Sequence, residues 1–137
     1  MSFPRQANEI YEERFVVSYD HGALTADTEV KLFAPKAGRD FRIDRVWYNN
    51  PTGLAADAAN YFDIQVKTVG GNVAFNWSTE TGEEGALVAD TPVEFSASAT
   101  DADQIISAGA VMSVNFDETG TQTLPAGRLV VEGRYVS

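Results

Sequence analysis

Between Tyr61 and Trp77 the side chains alternate in two short runs separated by glycines. Phe62, Ile64 and Val66 interleave with Tyr61, Asp63, Gln65 and Lys67; Val73, Phe75 and Trp77 resume the pattern after Gly70, Gly71 and Asn72. A period of two places one set of side chains on a buried face and the other toward solvent, the mark of a half-buried strand. Gly and Asn accept positive φ, so the stretch predicts a β-hairpin. That hairpin needs an apolar layer to pack against, and no helix of useful length is legible elsewhere to supply it.

The remaining candidates are strands. Arg14 to Tyr19 carries Phe15, Val17 and Tyr19 on one face, and Thr28 to Phe33 turns Val30 and Leu32 inward. Phe41 to Tyr48 changes pattern midway, with Phe41 and Ile43 on one parity and Val46 and Tyr48 on the other. A bulge or bend at Asp44 and Arg45 is the favoured reading, and two covered faces the alternative. Thr91 to Ser96, Val111 to Phe116 and Leu129 to Val136 complete the set. Between them, Asn49 to Gly53 is a dense turn, Leu54 to Asn60 has room for one helical turn, and Ser78 to Asp90 reads as a long polar loop. Ala97 to Gly109 is rich in Ala, Ser and Asp, with Ile105 and Ile106 tucking it onto the core. Eight short strands predict an all-β antiparallel sandwich, jelly-roll-like or immunoglobulin-like. Residues 14–137 are expected to form this one domain. Residues 1–13 precede it as an arm, polar through Asn8 and with room for a helical turn from Glu9 to Glu13.

Charge bears on partners. The 137 residues carry a net charge of −10, and the 10 Lys and Arg residues are scattered along the sequence. That disfavours direct nucleic-acid binding. No cysteine is present, which excludes disulfides and thiol chemistry. The N-terminus lacks the apolar run of a signal peptide, and no segment has transmembrane length, so synthesis in the cytoplasm and no membrane partner are expected.

Chemistry-bearing residues are sparse. His21 is the lone histidine, in a Tyr19-Asp20-His21-Gly22 turn signal, and reads as a solvated turn residue rather than part of a triad. Asp101 and Asp103, with Asp57, Asp90 and Asp117 in other loops, are too few at calcium spacing and read as solvated acids. Glu80, Glu83 and Glu84 sit in a loop expected to be too flexible to hold a glycosidase pair at fixed separation. Trp47, Trp77, Tyr48 and Tyr61 could line a sugar-binding platform. Phe75 and Trp77 share a strand face, which favours the core for both, while the register shift leaves the side of Trp47 open. No catalytic residue, metal site or cofactor is assigned, and the chain is not expected to be an enzyme.

Three segments carry a family resemblance: Arg45 to Leu54 (RVWYNNPTGL), Phe75 to Thr79 (FNWST) and Gly120 to Tyr135 (GTQTLPAGRLVVEGRY). They resemble small tailed-phage virion proteins of the capsid decoration or cement class, over roughly residues 40–137. The resemblance implies a β-sandwich on the outer surface of the virion, bound to the major capsid protein, often as a homotrimer at local threefold positions. It supplies no catalytic residues. The alternatives are a carbohydrate-binding β-sandwich module, for which Trp47 is the candidate, and a tail, spike or head-fibre component of the same virion.

Overall fold

The computed structural model describes residues 14–68 and 71–137. The expected arm, the turn at Glu9–Glu13 and Gly70 of the hairpin lie outside the described residues. Ten strands run in chain order: β1 (Arg14–His21), β2 (Thr28–Phe33), β3 (Phe41–Asn49), β4 (Tyr61–Lys67), β5 (Val73–Ser78), β6 (Val93–Glu94), β7 (Ser96–Ala97), β8 (Ile105–Ile106), β9 (Met112–Thr119) and β10 (Gly127–Tyr135). They form two antiparallel sheets. Sheet one has the order β1-β10-β3-β6, with β8 also on β3; sheet two has the order β2-β9-β4-β5-β7.

This order decides between the two expected topologies. An immunoglobulin sandwich keeps its first two strands in one sheet. Here β1, β2, β3 and β4 alternate between sheets. With β6, β7 and β8 counted as one position, sheet one follows the order first, eighth, third, sixth, and sheet two second, seventh, fourth, fifth, with the β7 part of the sixth position added beside the fifth. That is the double Greek key of a jelly roll.

The strand count exceeds eight by two because the expected Thr91–Ser96 strand is divided and Ile105–Ile106 forms a strand of its own. Val93 and Glu94 pair with β3, whereas Ser96 and Ala97 pair with β5. Between them Phe95 is buried, and its N–H donates to Val46 O at 2.9 Å. One ring thus plugs the interior where the chain crosses from sheet to sheet, closing that side of the sandwich. Ile105 and Ile106 do reach the core region, as a strand paired with Phe41 and Arg42.

The hairpin holds. Phe62, Ile64 and Val66 are fully buried in β4, and β5 pairs with it from Val73 to Ser78. In β3 the pattern change is a bulge: Glu132 faces Arg45 and Gly133 faces Ile43, leaving Asp44 as the extra residue. The bulge resets the parity, so Phe41, Ile43, Val46 and Tyr48 all point into the core rather than to opposite faces. Gly133 stands opposite the bulge because a Cβ there would collide with the Phe41 ring and the Arg42 carbonyl. Leu54–Asn60 forms no helical turn. Leu54 instead exchanges both backbone bonds with Leu87, and Asp57 bridges to Glu80, since Leu54 and Leu87 pack inward and the extended chain lets them.

On the side away from Phe95, β1 and β2 are the outermost strands of their sheets and contact each other. Each has a backbone partner on one flank only among the described residues. The rings at this side, Phe15, Tyr19 and Phe33, are partly buried rather than sealed.

Candidate functional site

His21 ends β1 and is 5% exposed, so the solvated-turn reading is overturned. Period two continues through Phe15, Val17 and Tyr19 to His21, and carries the imidazole inward with them. There it lies 4.9 Å from the Phe116 ring and stacks on Tyr48 at 5.7 Å. Nδ1 is 2.7 Å from the Gly22 carbonyl, which can only accept; Nδ1 therefore carries the proton, and Nε2 accepts from the Tyr48 hydroxyl at 2.6 Å. Asn50 donates to both the Tyr48 hydroxyl and Pro125 O, and its Oδ1 accepts from the N–H groups of Thr52 and Gly53. Burial lowers the His21 pKa against the Gly22 bond and the charge of Asp20, and burial pushes the Tyr48 phenol up to about 12. Every polar group in this chain of bonds is occupied by a neighbour, so the chain braces the Asn50–Gly53 turn.

Several of the acidic residues also have structural partners. Glu84 is not a flexible carboxylate. Its Oε1 accepts from Ser78 N–H and the Asn76 amide, and its Oε2 from the Ser96 hydroxyl, pinning the Ser78–Asp90 loop to β5 and β7. Asp57 accepts from Ala59 and Asn60 N–H, which lowers its pKa. Asp101 is held below the usual carboxylate range by Arg42, and Asp103 accepts from the Ser98 hydroxyl. Asp117 is pushed up by partial burial and by Asp27, against Lys67. Among the described residues no group of three or more His, Asp or Glu side chains is arranged to hold a metal ion.

Of the four aromatics that could form a platform, three are committed elsewhere or apart. Tyr48 is buried, and Trp77 packs against the core with its Nε1–H donating to Gly85 O at 3.0 Å. Tyr61 begins β4, in sheet two. Trp47 is the exception. The Asp44 bulge fixes it on the outer face of sheet one, half-buried, with the Arg45 guanidinium 5.6 Å from its ring.

The sequence hid what surrounds Trp47, because the neighbours come from three distant segments. Register puts Ser18, Val130, Trp47 and Glu94 in one row across β1, β10, β3 and β6. The next row holds Asp20, Arg128 and Asn49. Arg128 grips Asp20 through two bonds, at 2.6 and 3.1 Å, and the Asn49 amide donates to Asp90 at 3.4 Å. Two shallow clefts flank the Arg128–Asn49 pair. One, of about 240 Å³, is lined by Trp47, Pro92 and Val130; the other, of about 390 Å³, by Asp20, His21, Pro51 and Ala126. A row carrying Trp47 and Val130 thus lies beside a polar row on one sheet.

No family model and no curated protein matches this chain. Among solved structures, a chain from the structure of infectious bursal disease virus Gx strain matches with 10% identity and a TM-score of 0.42. The match covers 90% of this chain and 33% of that one, so this chain spans about a third of its length. A likeness that loose bears on neither family nor function.

Proposed function

We propose that this chain is a virion structural protein, of the kind that decorates and cements an assembled tailed-phage head. The observation that carries the reading is the pair of sheet edges at one side of the jelly roll. Strands β1 and β2 lie side by side, and each keeps one flank without a strand partner among the described residues. Unpaired edges are templates for association, and a protein that attaches to a lattice has a use for them. The resemblance of residues 40–137 to decoration proteins supports the same reading, as does the jelly roll, which recurs in viral capsid and lectin domains. Fold alone does not choose between those two.

On this reading the chain does no chemistry. It binds the major capsid protein on the outer surface of the particle, as a homotrimer. Contact with the assembled shell, and not with separated subunits, shifts the equilibrium toward the intact particle by mass action. Mass spectrometry of gradient-purified particles tests this. The protein is expected in a fixed ratio to the major capsid protein, and recovery only from the soluble lysate would contradict the proposal.

A further inference from the structure

We propose that the outer face of sheet one, around Trp47, Arg128 and Asn49, is a binding site for the pyranose rings of a neutral glycan. The inference goes beyond the virion reading and does not depend on it.

The argument rests on the spacing of two rows. Residues i and i+2 on a strand share a face about 6.8 Å apart, so the Trp47–Val130 row and the Asn49–Arg128 row are separated by about the width of a sugar ring. The first row offers a flat apolar surface: the half-buried indole, with Val130 and Pro92 beside it. A pyranose presents such a surface on the C–H face of its ring. The second row offers hydrogen-bonding groups at the ring's edge, where the hydroxyls project. Arg128 spends Nε and Nη2 on Asp20, leaving the donors of Nη1 for a ligand. The Asp20 carboxylate retains accepting lone pairs, and it is exposed.

Asn49 lines both clefts. Its amide spends one N–H on Asp90 at 3.4 Å, and the second is a further donor for a ligand hydroxyl. Together the clefts have the size of a disaccharide site, apolar with a few convergent polar groups. The charges favour a neutral sugar, since Asp20 already neutralises Arg128, and Glu94 beside Trp47 would repel a uronate. Arg45, exposed and close to the indole, must move aside for the ring to stack.

The test uses the full chain carrying Trp77→Phe, so that Trp47 is the sole tryptophan, excited at a wavelength that tyrosine does not absorb. Maltohexaose, cellohexaose, a β-1,4-linked N-acetylglucosamine hexamer and a β-1,4-galactan oligomer are titrated to about 10 mM, the millimolar range of a shallow single site. A saturable change in Trp47 emission is expected with at least one of them. Calorimetry on the otherwise unmodified chain should then show binding of that sugar weakened at least tenfold by Trp47→Ala and by Asn49→Leu, each with an unchanged circular dichroism spectrum. Val130→Lys, which fills the groove from the neighbouring strand, should give the same loss. No saturable change with any of the four sugars would overturn the proposal. So would binding that survives both Trp47→Ala and Val130→Lys. If Trp47→Ala abolishes attachment to viral shells while no sugar binds, the face is a protein contact and the glycan assignment is wrong.

Discussion

His21 was expected in solvent and lies in the core, and the reversal has a measurable consequence. No turn forms at Asp20–Gly22: Asp20 and His21 continue β1, so strand periodicity extends two residues further than the turn residues suggest. Burial lowers the imidazole pKa, so the folded chain refuses a proton that the unfolded chain accepts near pH 6.5. Stability is therefore complete above that value and declines as pH falls through it toward the lower folded-state pKa. Chemical denaturation at pH 7.5 and 5.5 should show a lower midpoint at 5.5, and His21→Gln should flatten the difference. The carboxylates held down by their partners, Asp57 and Asp101, add a separate loss only below about pH 4. Gly127 belongs to the same cluster. A Cβ there would lie 2.5 Å from the Tyr48 hydroxyl and 2.9 Å from Asn49 O. Gly127→Ala should cost about 1–3 kcal/mol through this overpacking, read as a fall in the denaturation midpoint. Nothing local in the sequence reveals that Tyr48 passes beneath Gly127.

At the scale of elements, the strands with clean alternation were legible: β2 matches its expected bounds, and β4 and β5 form the expected hairpin. The Asp44 bulge was legible too, because its flanks Phe41-x-Ile43 and Val46-x-Tyr48 are out of phase by one residue. What local pattern could not show is a strand that changes sheets. Val93 and Phe95 look like two inward residues of one continuous strand, yet the pairing moves from β3 to β5 across Phe95, between Glu94 and Ser96. Phe95 is 3% exposed and its ring lies 6.0 Å from Tyr48 and 6.3 Å from Trp77, so it ties both sheets together. Phe95→Ala should cost about 3–5 kcal/mol. Hydrogen exchange should show β6 and β7 losing protection before the central β3, β4, β9 and β10. The Glu84 brace was equally hidden. A run of glutamates between glycines reads as solvated loop, and its partners Asn76, Ser78 and Ser96 are known only once β5 and β7 are paired.

For the whole molecule, scattered charge in sequence becomes organised charge in space. Arg14, Arg42, Arg45, Arg128 and Arg134, five of the chain's ten Lys and Arg residues, meet on the outer face of sheet one through the registers of β1, β10 and β3. Asp20, Asp44 and Asp101 pair with four of them. The excess of acid is left for the remaining surface, where it favours solubility. The two sides of the sandwich also differ: Phe95 closes one, whereas β1 and β2 leave the other with unpartnered flanks among the described residues. Attachment to a viral shell is the central claim, and co-sedimentation of the purified full-length protein with assembled shells lacking it tests that claim most directly. The account predicts saturable binding to intact shells, none to dissociated capsid subunits, and shells that withstand heating to a higher temperature once decorated. Protein that stays in the supernatant at micromolar concentration with intact shells would contradict it.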